Sequence, residues 1–382
     1  MSRAATIFVL CLGWLSNTGV QADDAVVPIT ADLQAIYART QIAAEEAEFT
    51  EIARACSKII PDAQRSAADR AYASKLFAWS LNRRGEVRGE RAAKMVRDGQ
   101  LTEAQQNDQL AGKDFATAAE YAPDNWRIQH NLAIAHAMQG RYNEAIDVFS
   151  RVIELKSDYP NAYYNRAELH FEQEQFTQAV KDYSKAIQLS DNDARYFNGR
   201  AHASFMIRNE DAALSDYTQA ATLEPANAAY LTDLADALQS LGRWEDSATR
   251  YRAAVAADKT YARAYRNISW LLATCPDKRF RNPNLALSAA NKAIELDGEK
   301  DFRSLDTLAA ATAAVGDSPA AAQLVRQAIA IAPPNARAEL TERSALYAGG
   351  GKFVQSSPIA IQRVPAPTKP EVRTASAAVP KR

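Results

Sequence analysis

Glycine is scarce in this chain, at 14 of 382 residues. No stretch alternates apolar and polar residues over the length of a strand. A sheet needs that period-two pattern and tight turns between strands, so the sequence predicts an all-α protein. Cysteine is scarcer still, with three residues. Cys11 lies in an N-terminal apolar run, which leaves Cys56 and Cys275, far apart in the sequence. Two thiols cannot staple a disulfide scaffold, and both are taken as small apolar residues. Neither sign of charge dominates: 45 Lys and Arg face 46 Asp and Glu, which implies no general affinity for nucleic acid. The uncharged apolar run at residues 4–15 is too short to span a bilayer as an ordinary anchor. Motifs of chemistry are missing as well. No glycine-rich loop follows a strand, and no Ser, Cys or His lies in a nucleophile motif. The sequence therefore predicts no cofactor and no enzyme.

What is present is repetition. Ala145, Ala179 and Ala213 are evenly spaced, with 179 − 145 = 34 and 213 − 179 = 34. Each is followed one helical turn later by an aromatic residue, Phe149, Tyr183 or Tyr217, and Ser247 with Tyr251 continues the series. One helix of a pair needs a small residue where its partner crosses closely, and the aromatic fills the gap beside the crossing. A single pair cannot bury its apolar face, so successive pairs stack and share a core. Gly140 and Gly242 fall at the turn between the helices of their units, where a left-handed residue is useful; Glu174 and Arg208 hold the same place in the other two units.

The constant period and the small-xxx-aromatic core resemble the tetratricopeptide repeat (TPR) family. The resemblance implies an all-α TPR solenoid of stacked antiparallel helix pairs, wound as a right-handed superhelix. Four regular units are expected over residues 126–261, preceded by divergent N-terminal helical hairpins over residues 23–125. Among those hairpins a helix is expected to end at Arg83-Arg84-Gly85, followed by a charged, poorly periodic helix. Residues 262–348 should hold an irregular unit with an inserted loop, a last unit and a capping helix. Gly349-Gly350-Gly351 is expected to end the fold, leaving residues 349–382 as a disordered basic, proline-rich tail. Arg3, the apolar run and the small residues Val20 and Ala22 form the pattern of a signal peptide over residues 1–22, cleaved or kept as an anchor. The run from Trp270 to Cys275-Pro276-Asp277 resembles a segment of exported bacterial TPR proteins. The chain is accordingly expected to be exported, periplasmic or otherwise extracytoplasmic, with no transmembrane span once the signal is cleaved.

His136 and His170 occupy one repeat position. Stacked units put equivalent residues roughly 10 Å apart, whereas zinc ligands lie about 2.0–2.1 Å from the metal, so no metal site is expected. The resemblance implies instead a concave groove lined by the first helix of each unit. It places Tyr164, Phe171, Phe205 and Trp270 there, together with Arg263 and Arg266, and aromatic residues and Arg favour interface hot spots. Asn131 and Asn165 sit at the sixth position of their units, where co-chaperone TPR domains hold a peptide carboxylate, although the cationic set of such a clamp is incomplete here. The function expected is a non-catalytic protein–protein interaction scaffold of the bacterial cell envelope, binding a partner peptide or helix in the groove. The alternative is envelope attachment, with the basic tail on anionic lipid or polymer.

Overall fold

The computed structural model describes residues 30–298 and 301–356. The signal segment and the tail beyond residue 356 lie outside the described residues. Within them are seventeen α-helices, two short 3-10 turns and no strand. No described helix is long and apolar enough to cross a membrane. The described residues form two compact units, divided between Ala226 and Asn227.

The first unit opens with α1 (Ala31–Thr40), α2 (Glu46–Ile59), α3 (Ala67–Arg97) and α4 (Leu101–Tyr121). Three regular pairs follow: α5 (Trp126–Met138) with α6 (Tyr142–Leu155), α7 (Pro160–Glu172) with α8 (Phe176–Leu189), and α9 (Ala194–Met206) with α10 (Glu210–Leu223). First helices start at Trp126, Pro160 and Ala194, each one full repeat period after the last. The repeat spacing thus sets helix starts as well as core anchors. Ala145, Ala179 and Ala213 are completely buried at the crossings, as are Phe149 and Val152 behind them. The interhelix turns are chemically alike. In the α7–α8 turn Gln175 N donates to His170 O at 2.8 Å and Glu174 N to Phe171 O at 2.9 Å, a Schellman motif. Glu174 and Arg208 accordingly sit at φ of 59° and 63°, where the equivalent Gly140 has 74°.

One expectation fails among the N-terminal helices. Helix α3 does not end at Gly85 but runs unbroken for 31 residues. Gly85 is a contact residue: a Cβ there would stand 2.6 Å from Phe115 Cε1. The charged stretch after it lacks an apolar period because its polar groups meet other helices. Arg84 forks onto Asp114 at 2.6 and 2.9 Å and reaches Thr50 at 3.2 Å. Arg88 joins Asp114 at 2.7 Å and Glu46 at 2.8 Å. The same staple recurs in the regular pairs, where Arg166 forks onto Asp182 and reaches Ser150, and Arg200 forks onto Asp216 and reaches Ser184. α3 and α4 are therefore a stretched repeat. The sequence separation across their staple is 114 − 84 = 30, against 182 − 166 = 16 in a regular pair. The surplus is shared by the two helices and adds about two turns to each.

The second unit holds α11 (Ala228–Ser240), α12 (Trp244–Ala257), α13 (Ala262–Thr274), α14 (Pro283–Asp297), α15 (Phe302–Val315), α16 (Ser318–Ile331) and α17 (Arg337–Ala348). Ser247 replaces the crossing alanine, and its hydroxyl donates to Ala235 O at 2.8 Å, so the exchange buries no unpaired hydroxyl. Second helices α12 and α14 start at Trp244 and Pro283, a step five longer than the period, and the surplus lies in the loop before α14. That loop is pinned: Asn282 N donates to Leu272 O at 3.0 Å, and Phe280 packs beside Tyr251 and Leu271. α17 caps the stack by burying Leu340 and Tyr347 against Leu305 and Val325.

The three glycines after α17 do not end the fold. Gly351 N donates to Leu346 O and Gly350 N to Tyr347 O, both at 2.9 Å, with Gly350 at φ 78°. Here the Schellman turn reverses the chain. Residues 352–356 then return across the unit and bond to the end of α13, where Gln355 N meets Thr274 O.

Candidate protein-binding cleft

The first-helix faces carry a polar bond that repeats with the period. Tyr183 Oη donates to Glu168 Oε1 at 2.5 Å, and Tyr217 Oη is 2.7 Å from His202 Nδ1. In the second unit Tyr251 Oη donates to Asp236 Oδ1 at 2.5 Å. Each partner lies fifteen residues before its tyrosine. The first regular pair has Phe149 there, with no hydroxyl, and its counterpart is Ile134. Glu168, His202 and Asp236 are therefore each bonded by the second helix of their own pair.

In the first unit several expected groove residues are absorbed by packing. Tyr164 is buried, with ring centroids 5.9 Å from Tyr183 and 5.2 Å from Tyr196 and the Arg195 guanidinium 5.5 Å from its centroid. Phe171 is half-buried, edge-on to Phe176 at 5.2 Å and 6.5 Å from His202. Phe205 is half-buried on α9. Asn131 donates to Asn82 at 2.9 Å and to Glu86 at 3.1 Å. Asn165 is 1% exposed, and its Nδ2 is buried without a hydrogen-bond partner. His130 is also interior, between Phe149 at 5.6 Å and Tyr159 at 5.3 Å, and burial depresses its pKa to about 4. Among the described residues no group of three His, Cys, Asp or Glu is placed to hold a metal. Cys56 and Cys275 are free and buried.

The second unit keeps its face open. A cleft of about 560 Å³ receives side chains from four successive first-position helices: Asp236 and Gln239 of α11, Arg266 and Trp270 of α13, Asp306 of α15 and Arg343 of α17. Its less exposed arginines, and Arg263 beside it, are already matched. Arg263 reaches Asp233 at 2.8 Å and Asp236 at 2.5 Å, and although burial opposes its charge, these two carboxylates hold its pKa above the ordinary arginine value. Arg266 lies 2.9 Å from Asp301, with burial pulling its pKa down. Arg343 forks onto Asp306 with two bonds of 2.9 Å while its guanidinium lies 5.6 Å from the Trp270 ring centroid. Burial pushes the Asp306 carboxyl up against the pull of Arg343. Arg266 and Arg343 are committed to aspartates; the more exposed Arg303, 3.8 Å from Asp301, and Glu339 also line the cleft, which offers a visitor an aromatic platform and amide groups beside them. Trp270, Arg263 and Arg266 are thus brought together, and the sequence reading misses Gln239 and Arg343, whose contribution depends on packing across the unit.

A returning piece of chain, Gln355 and Ser356, forms part of the cleft wall. Phe353 stacks on Trp270 with centroids 5.5 Å apart and an interplanar angle of 43°, and Arg343 covers it at 5.4 Å. Gln355 N donates to Thr274 O at 3.0 Å, and Gln239 Nε2 donates to Gln355 Oε1 at 3.2 Å.

Comparisons agree with this architecture. The TPR repeat family model matches residues 138–173, and the tetratricopeptide repeat model matches residues 160–193. No curated protein sequence matches the chain. A tetratricopeptide repeat protein from Parabacteroides merdae is similar in structure, with a TM-score of 0.51 at 15% identity over 68% of this chain and 98% of that one. Pseudomonas aeruginosa pilF gives 0.46 at 16% identity over 56% and 91%. YrrB, described as a TPR protein with an unusual peptide-binding site, gives 0.40 at 20% identity over 48% and 92%. The matched repeats, the helix pairs that continue their pattern and the similarity in fold make this chain a tetratricopeptide-repeat protein.

Proposed function

We propose that the chain is a protein-interaction scaffold of the bacterial envelope whose second unit binds an extended partner segment across its first-position helices. The observation that carries this reading is the cleft lined by α11, α13, α15 and α17, along whose wall a returning stretch of chain already lies. TPR repeats are interaction modules in general, and stacked equivalent positions suit an extended ligand. The envelope location rests on the signal pattern of residues 1–22, and sequencing of the mature protein is expected to begin at Asp23. Recovery of chains that begin at Met1 or Ser2 in the membrane would replace cleavage by anchoring.

The test is a comparison of full-length variants on the partner that co-purifies with the wild type. Gln239→Arg and Trp270→Ala alter the cleft, whereas Arg252→Glu alters the exposed side of α12. A hot spot lost from the cleft weakens binding by about 2 kcal/mol or more, roughly thirtyfold. Equal loss with Arg252→Glu, or loss that merely follows a fall in melting temperature, would move the site elsewhere.

A further inference from the structure

Residues 351–356 follow an alternating pattern: Gly351, Phe353 and Gln355 are half-buried, while Lys352, Val354 and Ser356 are exposed. Period-two exposure is the mark of an extended strand with one face down. The downward face makes three contacts of the kind expected of a bound peptide, while Gln355 Nε2 is buried without a partner. An aromatic side chain lies on a platform, a backbone N–H meets a helix-end carbonyl at Thr274, and a side-chain amide pairs with Gln239. The upward Lys352 anchors the start of the segment by donating to Ala314 O at 2.8 Å. Delivery is built into the backbone, since Gly350 at φ 78° sets the turn that sends the chain back from α17. A Cβ at Gly351 would stand 2.4 Å from Leu346 Cδ1, so the turn has little room for a side chain.

We propose that the segment around Phe353 is a tethered occupant of the partner's seat, and that the partner supplies an extended peptide with an aromatic residue and an amide-bearing residue two positions later. This rests on the reading of the cleft as the binding face. Three features favour that partner chemistry. The platform is a Trp270–Arg343 pair, which selects a flat ring. Arg343 and Arg266, which line the cleft, are paired with Asp306 and Asp301, so these two cations are not held ready for a terminal carboxylate. The Gln239 amide bonds an amide that arrives two residues after the ring. A tether of a few residues holds its occupant at an effective concentration on the order of millimolar. A free peptide must compete with that, so binding is gated by release of Phe353.

The probe is a fluorescein-labelled synthetic peptide of residues 350–356, titrated by anisotropy into full-length chains. Phe353→Ala vacates the seat and is expected to bind the peptide at least tenfold more tightly than wild type. The same peptide with its phenylalanine replaced by alanine is expected to bind neither chain, and this control leaves the protein's folding untouched. Adding Trp270→Ala to Phe353→Ala should lose the gain, with circular dichroism checking that the unit remains folded. Equal affinity for wild type and Phe353→Ala would overturn the gating, and absence of binding to Phe353→Ala would overturn the partner chemistry. If the peptide fails while Gln239→Arg still releases the co-purified partner, this inference falls and the cleft reading stands. If the peptide binds as stated while cleft variants spare that partner, the cleft reading falls and this inference falls with it.

Discussion

Substituting Tyr183 by Phe removes one oxygen and leaves the ring that packs on Tyr164. The lost bond is 2.5 Å long and lies between a tyrosine 1% exposed and a glutamate 7% exposed. A bond of this kind contributes about 1.5–3 kcal/mol, and its loss leaves the buried Glu168 carboxyl without that donor. Tyr183→Phe should therefore destabilise the first unit by about 2 kcal/mol. Glu168→Ile alone should be destabilising too, because it removes the acceptor 2.5 Å from the phenol. The double variant rebuilds the Ile134–Phe149 pair that the first regular repeat already uses, with both side chains buried there. It should be less destabilised than the sum of the singles by roughly 1.5 kcal/mol or more, the coupling of residues in direct contact. Urea denaturation followed by circular dichroism gives the global values. Hydrogen exchange of α7 and α8 amides localises them, since repeat stacks open in segments. An additive double variant, or a neutral Tyr183→Phe, would refute the idea that the polar pair is a repeat-specific lock.

Other consequences are as direct. Glu174→Gly and Arg208→Gly relieve side-chain strain at φ of 59° and 63° and should each stabilise by about 0.5–1 kcal/mol, seen as a higher urea midpoint. His130 is held neutral, its pKa falling from an unfolded value of 6.5 to about 4. The unfolded chain then binds the extra proton first, so the stability from the neutral ring is full above pH 6.5 and is lost as pH falls toward 4. Stability of the wild type should drop by up to about 3 kcal/mol more than that of His130→Phe across this window in acid titration of the urea midpoint. Gly85→Val puts a side chain where Phe115 stands and should destabilise by about 1–3 kcal/mol, detected by melting, whereas Gly99→Ala, at φ 78° in open space, carries only backbone strain.

Periodicity makes the regular pairs legible. Helix starts at Trp126, Pro160, Ala194, Ala228 and Ala262 follow the anchors because local propensity and core spacing agree. The five-residue surplus before Pro283 is visible for the same reason. What stays hidden depends on groups distant in sequence. Gly85 reads as a helix end, since glycine is a poor interior residue, until Phe115 supplies the reason for it. The glycine triplet marks a turn, but what the turned chain meets is Trp270, on a helix several elements earlier. Position on a first helix identifies Trp270 as a candidate; the same rule does not reveal that a neighbouring helix covers Tyr164 with Tyr196. A further signal lies in the sequence itself: the exchange of Tyr for Phe at 149 accompanies the exchange of a polar residue for Ile at 134.

The seat itself is open to one measurement. Full-length chain carrying 4-fluorophenylalanine at position 353 reports the ring's surroundings by fluorine NMR. With Phe353 stacked 5.5 Å from Trp270, the resonance should be shifted from its denatured position in wild type and return to it in Trp270→Ala. A resonance already at the denatured position in the wild type would contradict the occupied cleft.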